Sequence, residues 1–381
     1  MEKPAYKIAF DYVCSKISGG ELKKGDRVPS ENELSELFGV SRITGKRALD
    51  TLAERGIIVR KQGKGSFVDC DSLPGPSDET PLSHTVERSA PEPKAQMLGL
   101  ILPDFSDSFG MSLIAGFEKT CSQLGCHFVL KRSYGSRELE TQAIESMIEL
   151  GVGGIGIMPL HGEFYNTAIL QLILDGFPVV ILDRHYPGIN SCFVGTDNIS
   201  SAKTAVSHLI GEGHRNIAFI SPPVQDNSAL RGRIQGMQQA FEQAGLTPDE
   251  SLWFDQISST LPLKNKPQTV EANIHVLRKH FESHPEITAV FAAEYNIALI
   301  AKKTILSMGL RVPEDISMIS FDSPGRIDNL HEFTHIKQDE RGIAKYAVNK
   351  LVNFQRENAY SFLLLDGKLV IGKSTGELKQ G

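Results

Sequence analysis

Two helix starts separated by a single helix stop constrain this chain more than any other feature. In the run PSENELSELFGVSR, Ser30 is followed three residues later by Glu33, which is the pattern of a capping box. Leu34, Leu37 and Phe38 then recur at helical spacing, and Gly39 can adopt the left-handed conformation that ends a helix. Ser41 is a second N-cap, and the helix it opens runs to about Arg55 with Ala48, Leu49, Leu52 and Ala53 on its inner face. Two short helices joined by Gly-Val-Ser can pack only as a tight angled pair.

An earlier helix, from about Ala5 to Ile17, carries Ile8, Ala9, Tyr12, Val13 and Ile17 on one face. After the pair come Ile57–Val59 and Ser66–Val68, linked by Lys61-Gln62-Gly63-Lys64-Gly65, a hairpin with basic residues at its tip. Three helices and a hairpin in this order predict a winged helix-turn-helix. Charge agrees. The whole chain is −6, yet Ser41–Lys64 holds Arg42, Lys46, Arg47, Arg55, Arg60, Lys61 and Lys64 against Asp50 and Glu54. A local positive patch on an acidic chain is the footprint of a nucleic-acid surface. Arg42, Thr44, Lys46 and Arg47 are expected on or near the exposed first turns of the second helix, within reach of a major groove.

These strings, GDRVPSENELSELFGVSR and RGIIVRKQGKGSFV, resemble the GntR family of bacterial winged-helix regulators over about Ala5 to Val68. The resemblance implies operator contacts from Glu31, Ser41, Arg42, Thr44 and Lys46 on the helices. It implies contacts from Gln62, Gly63 and Lys64 on the wing. Gly45 departs from the family, which has a β-branched apolar residue there. A mid-helix glycine costs about 1 kcal/mol of propensity and removes a packing group.

From Asp71 to Lys94 prolines 74, 76, 81, 91 and 93 mix with Ser, Asp and Glu, as in an extended linker. Beyond it, short apolar runs (Leu98–Leu102, Phe128–Leu130, Ile155–Met158, Val179–Leu182, Ile217–Ile220, Ala289–Ala292, Ile316–Phe321) alternate with helical patterns. That alternation predicts parallel sheets covered on both faces. The number of runs predicts two α/β lobes, with a ligand cleft at the carboxyl ends of their strands. The expected organisation is a winged helix-turn-helix (α+β) over 1–70, a linker over 71–95 and a two-lobed α/β unit over 96–381.

LGLILPDFSDSFGMSLIAGFEK, ILDRHYPGINSCFVGTDN, HLIGEGHRNIAFISPP and LRVPEDISMISFDSP resemble, in this order, the LacI/GalR effector-binding domain, which shares the periplasmic-binding-protein-like fold. The resemblance implies a dimer, a sugar or sugar-derived effector and double-stranded operator DNA as partners. Arg233 is its best candidate for gripping ligand hydroxyls. Asp104, Ser106, Ser108 and Phe109 follow the first strand, Arg184 follows a later one, and Asp322 follows Ile316–Phe321. Where the family has Asn-Asp after Ala289–Ala292, this chain has Glu294-Tyr295.

Other motifs point elsewhere. His331-Glu332-Phe333-Thr334-His335 matches H-E-x-x-H, but a zinc site needs both histidines on one helix face, and this segment reads as a loop. Gly151–Gly156 matches G-x-G-x-x-G, but it follows a helix and opens a strand, the reverse of a dinucleotide site. A metal-dependent hydrolase using His331, Glu332 and His335, and a transporter's solute-binding component, are the alternatives. Neither accounts for the first seventy residues. No catalytic residues, metal or cofactor are expected. Five scattered cysteines read as buried thiols, and no apolar run reaches the ~20 residues of a bilayer span. The first residues have no apolar secretion core, so the chain is expected in the cytoplasm.

Overall fold

The computed structural model describes residues 5–54, 56–61, 65–70, 96–160, 165–224, 227–324, 331–354 and 360–378. The chain divides into two compact units, Met1–Lys94 with Thr167–Phe177, and Ala95–Asn166 with Pro178–Gly381.

In the first unit, α1 (Ala5–Ser18), α2 (Glu31–Phe38) and α3 (Arg42–Glu54) precede a two-stranded hairpin of β1 (Ile58–Lys61) and β2 (Gly65–Val68). The cap pattern is realised. Ser30 Oγ accepts from Glu33 N, Glu33 Oε2 accepts from Ser30 N at 2.6 Å, and Gly39 sits at φ 63°. β1 and β2 pair antiparallel, with Ile58 opposite Val68 and Lys61 opposite Gly65. Ala9, Val13, Leu34, Leu49, Leu52, Ile58 and Val68 form the core. Gly45 has a packing cause that propensity does not reveal. A Cβ there would stand 2.7 Å from Glu31 O and 3.4 Å from Leu34 Cβ, so α3 crosses α2 where only glycine fits.

The second unit has two lobes. In lobe 1 the sheet order is β12-β7-β6-β5-β3-β4, and every pairing is parallel. Its strands are β3 (Met97–Leu102), β4 (His127–Arg132), β5 (Gly154–Ile157), β6 (Val179–Leu182), β7 (Cys192–Thr196) and β12 (Ser361–Leu365). Helices α4 (Met111–Gln123), α5 (Arg137–Glu149) and α6 (Thr167–Leu174) fall between strands in chain order, and α6 belongs to the stretch grouped with the first unit. In lobe 2 the order is β13-β11-β10-β9-β8, with β13 antiparallel and the rest parallel. These strands are β8 (Ile217–Ile220), β9 (Ala289–Ala292), β10 (Ser317–Phe321), β11 (Thr334–Lys337) and β13 (Lys368–Val370). Helices α7 (Asn198–Gly211), α8 (Ser228–Gln243), α9 (Pro267–Ser283) and α10 (Tyr295–Ser307) cover this sheet, and α11 (Glu340–Val352) returns to pack on α4 and on β5–β7 of lobe 1. The central strands are buried throughout, as expected for parallel strands covered on both faces.

Among the described residues the chain crosses between lobes three times: from β7 to α7, from β11 to α11, and from β12 to β13. The segment around His331–Gln338, expected as a loop, contains strand β11. Its polar Thr334 and His335 hide a strand that is buried because it runs through the sheet interior. β7, β12 and β13 also lie outside the apolar runs read from sequence. No described helix is long and apolar enough to cross a membrane.

Candidate functional site

Two surfaces carry the candidate residues. On the first unit, α3 presents Arg42 with its side chain 72 % exposed. Ser41 caps the helix through Thr44 N at 3.2 Å, and the Ser41 and Thr44 hydroxyls meet at 2.9 Å. Thr44, expected on the exposed turn, is buried: its hydroxyl donates to Asp175 Oδ2 at 2.5 Å, and Ser41 Oγ donates to the same oxygen at 3.0 Å. Glu31 lies between two arginines, 3.5 Å from Arg42 Nε and 3.3 Å from Arg60 Nη1. Arg60 also reaches Asp50 at 2.7 Å and donates to Lys46 O at 3.3 Å. The Glu31 carboxylate therefore positions guanidinium groups on this face. Lys46 is half-buried, and the Arg47 guanidinium lies 4.9 Å from the Tyr6 ring centroid. Arg27, Arg42, Arg60 and Lys61 line a groove of about 360 Å³ with Ser30, Glu31 and Asn32. Arg27 was not singled out from the sequence. It lies before α2 and reaches the hairpin by pairing with Phe67. Gln62, Gly63 and Lys64 lie outside the described residues.

In the second unit, Asp104, Ser106, Ser108, Phe109, Arg184, Arg233, Glu294, Tyr295 and Asp322 all line one cavity of about 690 Å³. Their positions in the chain span more than two hundred residues, and strand ends bring them together. Asp183 ends β6 and Asp322 ends β10, both with φ 63°. Aspartate is among the residues that tolerate this left-handed conformation, at a cost of about 1–3 kcal/mol that the surrounding structure offsets. Each is held by its amide: Asp183 N donates to Val194 O at 3.0 Å, and Asp322 N to Ile336 O at 2.9 Å.

Arg233 is the buried centre. Its Nε donates to Asn198 Oδ1 at 2.8 Å, its Nη1 donates to Ala293 O, and its guanidinium lies 3.7 Å from the Phe321 ring centroid. Asp322, Asp183 and Glu294 attract its charge, while burial opposes it and moves its pKa down. Burial pushes the Asp322 carboxyl up to about 8 against the pull of Arg233 and Gln338. Burial likewise raises Glu294, against a hydrogen bond from the Thr260 side chain and the pull of Arg233 and Arg184. Arg184 donates Nε to Asp183 at 3.3 Å and Nη1 to Pro159 O at 3.3 Å. Asp104 is paired with Arg132 at the end of β4.

Gln338 is a site residue that sequence reasoning missed. Its amide donates to both Asp322 oxygens at 3.0 Å and accepts from Thr196 Oγ1 at 2.6 Å. Two residues on, Glu340 Oε2 accepts from Gly110 N at 2.6 Å and Leu113 N at 3.2 Å, pinning the Asp104–Gly110 loop. One crossover thus ties both walls of the cavity. No local pattern marks these residues, since Glu340 lies 230 positions from Gly110.

The other motifs take different roles. His331 and Glu332 precede β11 and His335 lies within it, with His335 Nδ1 facing Phe333 O at 3.0 Å and Glu332 bound to Lys302 at 2.7 Å. The one-helix-face geometry of a zinc motif is not made, and no group of three His, Cys, Asp or Glu among the described residues is placed to hold a metal. Gly151–Gly156 leaves α5 and enters β5. Of the five cysteines expected as buried thiols, Cys121, Cys126 and Cys192 are buried, while Cys14 and Cys70 are partly exposed; burial pushes the Cys121 thiol up to about 12.

Two stretches of the chain match known protein families. Residues 5–68 match the bacterial regulatory proteins of the gntR family, and residues 206–375 match the periplasmic binding protein-like domain. An arabinose metabolism transcriptional repressor of Halalkalibacterium halodurans is 26 % identical over 390 residues, covering 98 % of this chain and 97 % of that protein. One from Geobacillus stearothermophilus is 27 % identical, covering 84 % and 82 %. Among solved structures, a complex of the transcriptional regulator CelR with cellobiose superposes with a TM-score of 0.62 at 21 % identity, covering 94 % of each chain. The transcription regulator CcpA of Lactococcus lactis superposes at 0.63 with 22 % identity, covering 74 % of this chain and all of that one. These structural likenesses establish the fold. The chain therefore joins a gntR-type winged-helix domain to a periplasmic-binding-protein-like domain.

Proposed function

We propose that this protein is a sequence-specific DNA-binding repressor of a carbohydrate-utilisation operon, released or retained by a small sugar bound between the two lobes. The observation that carries this reading is the union, in one chain, of an arginine-lined helix-turn-helix face with a buried polar cavity. The resemblance to arabinose repressors along nearly the whole chain supports it. In this reading Arg42, Lys46 and Arg47 act with the wing residues Gln62, Gly63 and Lys64 on operator phosphates and base edges, while Ser41 and Thr44 fix the helix that presents them. Glu31 orients Arg42 and Arg60. The wing is placed here by the sequence pattern alone.

The protein works as a homodimer, because two identical heads match a near-palindromic operator. Sugar binding favours one angle between the lobes. Operator affinity then changes by the ratio of sugar affinities for the two states. The proline-rich segment over 71–95, expected from the sequence as an extended linker, lies outside the described residues; a linker of that composition would be a poor rigid lever, so the sugar acts by ordering or releasing the heads. Crosslinking of the heads should then differ with and without sugar, and equal yields would count against this step.

The decisive experiment is DNase protection and gel shift of the full-length protein on its own upstream region, with and without arabinose. Protection of one symmetric site, lost or strengthened by sugar, is expected. Arg42→Ala should weaken binding and make the salt dependence shallower by about one phosphate contact. Binding that ignores both sequence and sugar would refute the reading.

A further inference from the structure

The first turn of α3 already holds an anion. Ser41 Oγ and Thr44 Oγ1 both donate to Oδ2 of Asp175, at 3.0 and 2.5 Å. The other oxygen, Oδ1, accepts from Gln171 Nε2 at 2.9 Å, which turns the carboxylate toward α3. Beside it the Arg47 guanidinium lies 5.3 Å from the Phe177 ring centroid and 4.9 Å from that of Tyr6. All of these residues belong to one compact unit, although Asp175 stands 134 positions beyond Ser41 in the chain. Three residues expected at the operator, Ser41, Thr44 and Arg47, are thus engaged by the end of α6 and the residues that follow it.

The position of Asp175 in its own helix does not account for this contact. It comes directly after Leu174, the last residue of α6, and the C-terminal end of a helix carries partial negative charge that disfavours an anion. The N-terminal end of α3 carries the opposite sign. Its first amides have no carbonyl partner within the helix, and phosphate oxygens are commonly held at such ends.

We infer that Asp175 is autoinhibitory: its carboxylate occupies the seat of an operator phosphate on α3, and the helix-turn-helix reads DNA only when α3 and Asp175 part. The inference rests on the DNA-binding reading above and goes beyond it by naming a competitor within the chain.

A competitor in the same chain acts at high effective concentration, so two hydrogen bonds to one carboxylate suffice to compete with DNA. The block is incomplete. Arg42 stays 72 % exposed, and Arg27, Arg60 and Lys61 line a groove that Asp175 does not enter. DNA can meet the docked form through these cations, and its apparent affinity is reduced by the fraction of molecules in which Asp175 has left α3. A contact that merely held the head together would have the opposite consequence, since its loss would weaken DNA binding or leave it unchanged.

Fluorescence anisotropy of the full-length, sugar-free protein on a duplex from its own upstream region, at about 0.1 M salt, tests this. Asp175→Ala should bind about tenfold more tightly than the wild type. Asp175→Asn, which keeps the shape and removes the charge, should shift the same way and is the variant to read should alanine fail to fold. Affinity unchanged or weakened in a folded variant overturns the inference and leaves the DNA-binding reading standing. Carbodiimide labelling of the wild type gives a second measurement. Competition is reciprocal, so adding the duplex should increase modification of the Asp175 carboxyl. Labelling that stays the same or falls when DNA is bound also overturns the inference. If neither wild type nor variants prefer the duplex to a scrambled one, the DNA-binding reading falls and takes this inference with it.

Discussion

The two lobes reach the cavity with the same device and stabilise it differently. Each ends a central strand in an aspartate at φ 63° whose amide is bonded to the next strand. Lobe 1 answers Asp183 with Arg184, and adds the loop Asp104–Gly110, where Asp104 pairs with Arg132 in a half-exposed position. Lobe 2 answers Asp322 with an enclosed set, Arg233 and Gln338, backed by Asn198 and, from the end of β7 in lobe 1, by Thr196. Charges in water are screened and contribute little, whereas buried ones must be matched or they are costly. Lobe 2 should therefore be the rigid, energetically expensive wall, and lobe 1 the adjustable one.

Arg233→Met tests the rigid wall most severely. It removes the cation facing Asp322, Asp183 and Glu294. Uncompensated buried charge should cost about 3–5 kcal/mol in urea denaturation, and sugar binding should be lost. A cost below about 1 kcal/mol would mean that the wall relaxes, and the contrast between lobes would fail.

Asp322→Asn comes next, read as a pH profile. The folded-state pKa of about 8 stands above the ordinary 3.8. The folded protein therefore holds a proton that the unfolded chain releases. Stability falls as pH rises from about 4 to about 8 and levels off above that. Asparagine removes this titration. The melting temperature of the wild type, relative to the variant, should decline across that window. A flat difference would show that Arg233 keeps Asp322 ionised.

How much of this contrast was legible beforehand depends on sequence distance. The caps at Ser30 and Gly39 and the apolar faces of α2 and α3 are local, so the first unit could be outlined residue by residue. The nine cavity residues were also within reach, because they follow apolar strands or come from a recognisable pattern. Gln338, Glu340, Asn198 and Thr196 were not, since their partners lie tens to hundreds of residues away. β11 escaped notice because Thr334 and His335 are polar yet buried. β12 lies at a sheet edge with Phe362 and Leu364 exposed, which blurs the in–out pattern. Gly45 looked like a weakness in α3, and only the approach of the α2 backbone explains it.

Glu340→Ala sharpens the comparison on the side of lobe 1. Two amides at the start of α4, Gly110 and Leu113, would lose their shared acceptor. Gly110 sits at φ 100° with Phe105 2.5 Å from where a Cβ would stand, so the loop depends on that anchor for its shape. A loss of about 1–3 kcal/mol is expected, with sugar affinity falling further than the general loss of stability would explain. Hydrogen exchange at Ser106–Gly110 should rise, while exchange in lobe 2 stays unchanged. Faster exchange in both lobes would indicate that the crossover transmits the defect through Gln338.

Asp104→Asn should have the smallest effect. Its carboxylate is half exposed and paired with Arg132, whose guanidinium also lies 4.9 Å from the Phe105 ring centroid and 4.5 Å from that of Tyr134. The two aromatic contacts remain when the charge is removed, so Arg132 keeps its place. Stability should change by no more than about 0.5 kcal/mol, and the pair should weaken further in salt. Asparagine preserves the oxygen that accepts from Phe105 N at 2.7 Å, which keeps the loop closed. A sugar held mainly by lobe 2 would bind this variant nearly as well as the wild type. A large loss of affinity, measured by titration with the same sugar, would place the controlling contact on the exposed loop and reverse the assignment of rigid and adjustable walls.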